Sequence, residues 1–160
     1  MPLPPMTPTI GFASLAATVR YRSTLPGPGG ALLKTNPASE DRRSLGRRGE
    51  TLAAEYLQKK GYRVLGRNVR AGGVELDLVA AHARTIVFVE VKTRRSRAQG
   101  APELAVDARK RARLVRGAAA WLRDHSARAA RVRFDVISCE PDARGELCAR
   151  HLPGAFDAGD

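Results

Sequence analysis

Cysteine is nearly absent: Cys139 and Cys148 are the only two in 160 residues. A lone pair excludes a disulfide framework, and without histidine or further cysteine at ligand spacing it excludes a zinc site. His82, His125 and His151 are scattered, and none reads as a ligand. Reduced thiols in a cytoplasmic protein are the expected state. No apolar run approaches the roughly 18 residues of a membrane-spanning helix. No segment joins a basic face to bulky apolar anchors either, which argues against a membrane-surface role. Aromatic residues make up only 5% of the chain. Tyr56, Tyr62, Phe88, Trp121 and Phe134 fall on apolar periodic faces, so all five are assigned to the core, leaving no solvent-facing series to stack on bases. Negative charge is also scarce. Lys and Arg number 28 against 16 Asp and Glu, for a net charge of +12 and a pI near 10.9. A polyanionic partner is the first expectation. The excess is concentrated: thirteen Lys and Arg stand against three acids between Val91 and Arg133. A solvated, arginine-rich surface is the alternative.

Acidic residues are missing altogether before Glu40, where Pro, Gly, Ser and Thr dominate and no period is sustained. Residues 1–40 therefore read as a disordered extension, with an organelle-targeting segment or a start assigned too far upstream as alternatives. One domain is expected over residues 41–157. In it, Leu45, Leu52, Ala53, Tyr56 and Leu57 recur at helical spacing, with Ser44 as the expected N-cap and Gly61 as the stop. "YRVLGRN", "VELDLVA" and "TIVFVEV" read as strands, the last two joined by a hairpin connection at "AHAR". A second helix is expected over residues 101–125, with an apolar stripe of Leu104, Ala108, Val115, Ala118, Ala119 and Leu122. "RVRFDVIS" and "GELCARHL" complete the order αβββαββ, an α/β fold with a mixed sheet flanked by helices.

The hairpin carries the chemistry. Strand residues two apart share a face, so Ile86, Phe88, Glu90 and Lys92 lie together, as do Glu75, Asp77 and Val79. An even-length loop would set Val79 against Phe88, Asp77 against Glu90 and Glu75 against Lys92; an odd one would put Asp77 and Glu90 on opposite faces. Opposed carboxylates destabilise a sheet unless something offsets them. Mg²⁺ or Mn²⁺ would do so through hard oxygen ligands, with Lys92 placed to hold a water or to neutralise charge on a phosphate. The plain alternative is an exposed face on which Glu75–Lys92 and Glu90–Lys92 merely pair.

Asp77 followed by Glu90-Val91-Lys92 resembles the D…(D/E)-x-K signature of restriction-endonuclease-like nucleases. The ordered stretches "GRRGETLAAEYLQKKGYRVLGRN", "VELDLVA", "FVEVKTR", "DARKRARL", "RFDV" and "HLPGAFD" are similar to the bacterial YraN family of uncharacterised proteins, themselves similar in fold to Holliday-junction resolvases. The resemblance implies a nuclease-like domain in which Glu50, Asp77 and Glu90 bind the metal and Asp77, Glu90 and Lys92 are catalytic. It implies DNA, branched DNA included, as substrate, and a homodimer, since a junction offers two symmetric strands. One position departs from the family's Gly-Glu-Ile-Asp: Val74 stands in place of the glycine.

Arg94, Arg95 and Arg97 follow the candidate site directly and are expected to clamp phosphate. Arg109, Lys110, Arg113 and Arg116 on the second helix are expected to track the backbone, an exposed solubilising face being the alternative. Asp135 is expected to pair with a neighbouring arginine. Two further functions stay open beside a metal-dependent endonuclease: a non-catalytic nucleic-acid- or repair-partner-binding module on the same fold, and an RNA- or ribosome-associated accessory protein.

Overall fold

A computed structural model of the protein describes residues 41–96, 106–127 and 131–158. The N-terminal extension, Arg97 and the stretch before the second helix lie outside the described residues.

Helix α1 (Arg42–Lys59) buries Leu45, Gly49, Ala53, Ala54 and Leu57, a stripe at three- and four-residue spacing. Its N-cap is Asp41, which makes no side-chain cap bond, so Ser44 lies inside the first turn and not at the cap. The helix ends where expected: Gly61 adopts φ +83°, a left-handed conformation that costs glycine nothing. Strands β1 (Arg63–Ala71), β2 (Val74–His82) and β3 (Thr85–Thr93) follow as an antiparallel meander. Gly72 and Gly73, both at positive φ, turn β1 into β2, and the two residues Ala83 and Arg84 turn β2 into β3.

Helix α2 (Ala108–Asp124) then carries the chain across to β4 (Arg131–Pro141), which pairs in parallel with β3. Strand β5 (Leu147–Phe156) returns antiparallel, giving one mixed sheet in the order β1-β2-β3-β4-β5. The β4–β5 turn is tied by Asp142, whose Oδ1 accepts from the N–H groups of Arg144 and Glu146.

The near-continuous apolar run of β3 now has its cause: the strand is central and covered on both faces. Val87 and Val89 pack with Ala53, Ala54 and Leu57 of α1. Ile86 and Phe88 pack with Leu114, Ala118 and Trp121 of α2. Phe88 meets Trp121 edge-on at 5.8 Å and stacks on Phe134, which stacks in turn on Phe156. The inward face of α2 is therefore Leu114, Gly117, Ala118, Ala120 and Trp121. Ala119 is exposed, while Val115 and Leu122 only flank the core. The expected stripe was rotated because it followed Val115 and Leu122 and passed over Gly117, which lets the helix backbone settle onto Val74 and Leu76 of β2. Val74 is buried in that contact.

A single close approach also sets α1 against β3. A Cβ on Gly49 would run into the side chain of Thr93, with the two Cβ atoms 2.9 Å apart. Only glycine allows the helix to lie this near the strand end, and the next residue in the chain is Glu50.

Candidate active site

The β2–β3 ladder follows the even-length register: Leu78 opposes Val89, Val79 opposes Phe88 and His82 opposes Thr85. It stops at Leu78. Asp77 and Glu90 would be the next pair, and at that step the strands cease to exchange backbone hydrogen bonds. Instead the backbone N–H of Val91 donates to Oδ2 of Asp77 at 2.8 Å. A side chain has taken the place of the ladder, which pins the carboxylate across the hairpin next to Glu90.

Glu90 extends the face that Ile86 and Phe88 begin and is buried at 4% exposure. Its two oxygens meet two lysines. Lys92 Nζ lies 2.8 Å from Oε1, and Lys110 Nζ, reaching in from the first turn of α2, lies 3.1 Å from Oε2. The second contact is close enough for Coulomb attraction but lacks hydrogen-bond angles, so Oε2 is buried without a hydrogen-bond partner. Burial and the charge of Glu90 push the Asp77 carboxyl up to about 6; the Val91 N–H and Lys110 hold it back, and Glu50 adds a smaller upward push. Two acids and two ammonium groups thus form one quartet at the carboxyl end of β3.

Glu50 sits nearby on α1, but its Oε2 accepts from Asn68 Nδ2 at 2.9 Å. Among the described residues, no three His, Cys, Asp or Glu side chains stand close enough together to cage a metal. The donor chemistry still suits a hard divalent cation. Asp77 and Glu90 are adjacent carboxylates, one driven toward its protonated form and the other with an orphaned buried oxygen, and both conditions are relieved by an oxygen-seeking ion. Glu50 would have to leave Asn68 or act through a water to join them.

Glu75 takes no part. It is exposed and pairs with Arg70, its cross-strand neighbour on β1, at 3.6 Å, and so does not face Lys92. The expected arginines divide. Arg94 is buried at 8% exposure, with its N–H on the carbonyl of Cys139 and its guanidinium 4.0 Å from Glu140. With Arg42, Glu50, Thr93 and the exposed Arg95 it lines a groove of about 450 Å³ on the α1 side. Arg109, Arg113 and Arg116 are exposed along α2, whereas Lys110 turns inward to Glu90.

A second polar cluster lies under α1. Asp135, fully buried, receives Arg133 Nε on Oδ1 at 2.7 Å and a second Arg133 nitrogen on Oδ2 at 2.8 Å, so the expected arginine pairing is present. The N–H of Gly154 also reaches Oδ1, and His151 Nε2 reaches Oδ2 at 2.8 Å. Burial alone would raise the Asp135 carboxyl, but bonds from His151, Arg133 and Gly154 outweigh it and hold the group below the ordinary carboxylate value. Arg133 also donates to the hydroxyl of Tyr62, which is half-buried and stacks on His82. The alternation of Arg133 and Asp135 signalled the first pairing. Nothing in the sequence pointed to His151, which the β4–β5 pairing brings in from sixteen residues away.

A family model described as uncharacterised protein family UPF0102 matches residues 49–139, from the middle of α1 through most of β4. The UPF0102 protein of Trichlorobacter lovleyi is 46% identical over 115 residues, covering 71% of this chain and 91% of its own. That of Pelobacter propionicus is 40% identical over 134 residues, covering 82% and 96%. The solved structure of Pyrococcus furiosus SfsA in complex with Ca²⁺ matches at 18% identity and a TM-score of 0.35. It covers 71% of this chain and 64% of that one, so this chain spans under two thirds of the SfsA length, and so slight a likeness decides nothing about function.

Proposed function

The chain belongs to the UPF0102 (YraN) family, and on that premise we propose that it is a metal-dependent endonuclease acting on structured DNA, branched DNA included. The observation that carries the proposal is the junction of Asp77 and Glu90 at the end of the β2–β3 ladder, with Lys92 beside them. A hairpin built only for stability has no use for a buried and a half-buried carboxylate side by side, because their repulsion weakens it.

Asp77 and Glu90 are the carboxylates that would hold Mg²⁺ or Mn²⁺, and Glu50 would complete the set once released from Asn68. When bound, the ion supplies a Lewis acid for the phosphate and a water of lowered pKa. The protein's own groups do the rest. The Val91 N–H fixes the rotamer of Asp77. Lys92, oriented by Glu90 Oε1 at 2.8 Å, presents an ammonium to the negative charge that develops as water adds to phosphorus and one P–O ester bond breaks. Arg95 at the groove and Arg109, Arg113 and Arg116 along α2 supply exposed positive charge for flanking phosphates. Arg94, being buried, supports the floor of the groove. A homodimer would suit a two-strand substrate and belongs to the same proposal.

A second reading has an observation of its own. The lysines already balance Asp77 and Glu90, so the quartet is neutral without a cation, as a non-catalytic nucleic-acid-binding module on this fold would require. End-labelled single strands, duplexes and four-way junctions incubated with Mg²⁺ or with EDTA separate the two. Product that forms with Mg²⁺ and not with EDTA supports the nuclease. Salt-dependent binding with no product on any substrate supports the binding module.

A further inference from the structure

We propose that Lys110 is the built-in counter-ion of the carboxylate pair, a positioning residue that a divalent cation must displace from Glu90 in order to bind. The inference rests on the metal reading above and adds a competition within the site and a link to the nucleic acid.

Lys110 differs from its neighbours on α2. Its backbone N–H is fixed by the N-cap, donating to Oδ1 of Asp107 at 2.8 Å. From that first turn its side chain runs inward to Glu90 Oε2, while Arg109 and Arg113 are exposed. Of the two lysines on Glu90, it is the one built to leave. Lys92 belongs to the same central strand as Glu90 and approaches Oε1 at 2.8 Å. Lys110 belongs to a different element, stands farther off at 3.1 Å, and faces the oxygen that has no hydrogen bond. Its side chain is 32% exposed, so a change of rotamer takes the ammonium to solvent.

Charge settles which state each condition favours. Asp77 and Glu90, when ionised, balance Lys92 and Lys110. A doubly charged ion held by Asp77 and Glu90 would leave that quartet with excess positive charge, offset only in part by Glu50, and Lys110 already stands on one of the carboxylates that would hold it. Swinging Lys110 outward removes the nearest repulsion and delivers its ammonium toward the exposed basic face of α2. A phosphate backbone on that face gives the displaced ammonium a partner. Metal and nucleic acid therefore raise each other's affinity, by the same factor in both directions.

The test uses the full chain and Mn²⁺ alone, followed by titration calorimetry. Lys110→Gln should bind Mn²⁺ at least about tenfold more tightly than wild type, since a unit charge this close shifts affinity by that much even at a high effective dielectric. Arg123→Gln, which removes the same charge at the far end of α2, should leave the affinity unchanged. Lys110→Arg keeps the cation and should bind no more tightly than wild type, and the resonance measurement below decides the case in which the glutamine variant fails to fold. A spectroscopic readout accompanies it. After ¹³C-methylation of the lysines, the Lys110 resonance should move on addition of Mg²⁺ in wild type and stay fixed in Glu90→Gln. Equal Mn²⁺ affinity in wild type and Lys110→Gln, or a resonance that ignores Mg²⁺, overturns the role of Lys110 and leaves the metal site standing. Failure of both proteins to bind Mn²⁺ overturns the metal reading and this inference together.

Discussion

The backbone N–H of Val91 donates to Oδ2 of Asp77 at 2.8 Å, one residue beyond the last paired step of the β2–β3 ladder. That bond holds a partly buried carboxylate beside its like-charged neighbour Glu90, and burial together with the charge of Glu90 drives its pKa up to about 6 although the Val91 N–H opposes the rise. The strain belongs to the site, and its release should be measurable as stability.

Asp77→Asn should stabilise the metal-free protein. A carboxyl whose pKa is raised on folding is ionised at a cost above about pH 6, so the folded state is weakened at neutral pH relative to pH 4. Asparagine removes that cost, and its side-chain carbonyl can still accept from Val91. The gain at pH 7.5 in EDTA should be about 1–2 kcal/mol, seen as a higher melting temperature, and should shrink as the pH falls toward 4. Excess Mg²⁺ should narrow the gap, because only wild type is stabilised by the ion.

Asp135→Asn should act in the opposite sense. It leaves Arg133 and His151 facing a neutral group in a buried place and should cost about 2–4 kcal/mol at pH 7. Because folding lowers the Asp135 pKa, its contribution is complete above the ordinary carboxylate value and is lost as the pH falls through the folded one. Urea melts from pH 7 to pH 3 should show the two proteins converging in stability below about pH 4. A constant difference across the range would mean that packing, and not charge, sets the cost.

Replacing the exposed arginines of α2 should weaken DNA binding one phosphate at a time. Arg109→Gln, Arg113→Gln and Arg116→Gln should each lower affinity at fixed salt and flatten the plot of log K against log salt by roughly 0.9 per lost contact. Fluorescence anisotropy with a labelled duplex reads both quantities. Arg94→Ala should behave differently, lowering the melting temperature because its side chain is buried.

Gly49→Ala should cost about 1–3 kcal/mol, since the added methyl meets the Thr93 side chain and one element must shift. Adding Thr93→Ala should recover part of the loss by opening that space. Thermal melts of the single and double variants give the coupling directly.

These sites were not equally legible in the sequence. Counting across the hairpin gave Val79 against Phe88 and Asp77 near Glu90 for an even-length loop and left an odd loop open. The strands run into the expected AHAR connection as far as His82, and the two-residue loop Ala83–Arg84 that remains selects the even register. Counting could not show where the ladder ends, because there the Val91 N–H turns to the side chain of Asp77. The inward turn of Lys110 was hidden by a basic run in which Arg109, Lys110, Arg111 and Arg113 look alike until the helix is phased against the sheet. Helix phase itself was misread at Gly117, whose contribution is the absence of a side chain. His151 joined Asp135 through tertiary pairing alone, and local pattern carries no trace of it.

The most direct measurement is cleavage of a labelled four-way junction by wild type and Asp77→Asn in Mg²⁺, with DNA affinity measured on the same preparations. Wild type should cut in Mg²⁺ and not in EDTA, and Asp77→Asn should bind the junction at least as tightly and leave it whole. Cleavage that survives in Asp77→Asn would contradict the assignment of the site, whatever its metal dependence.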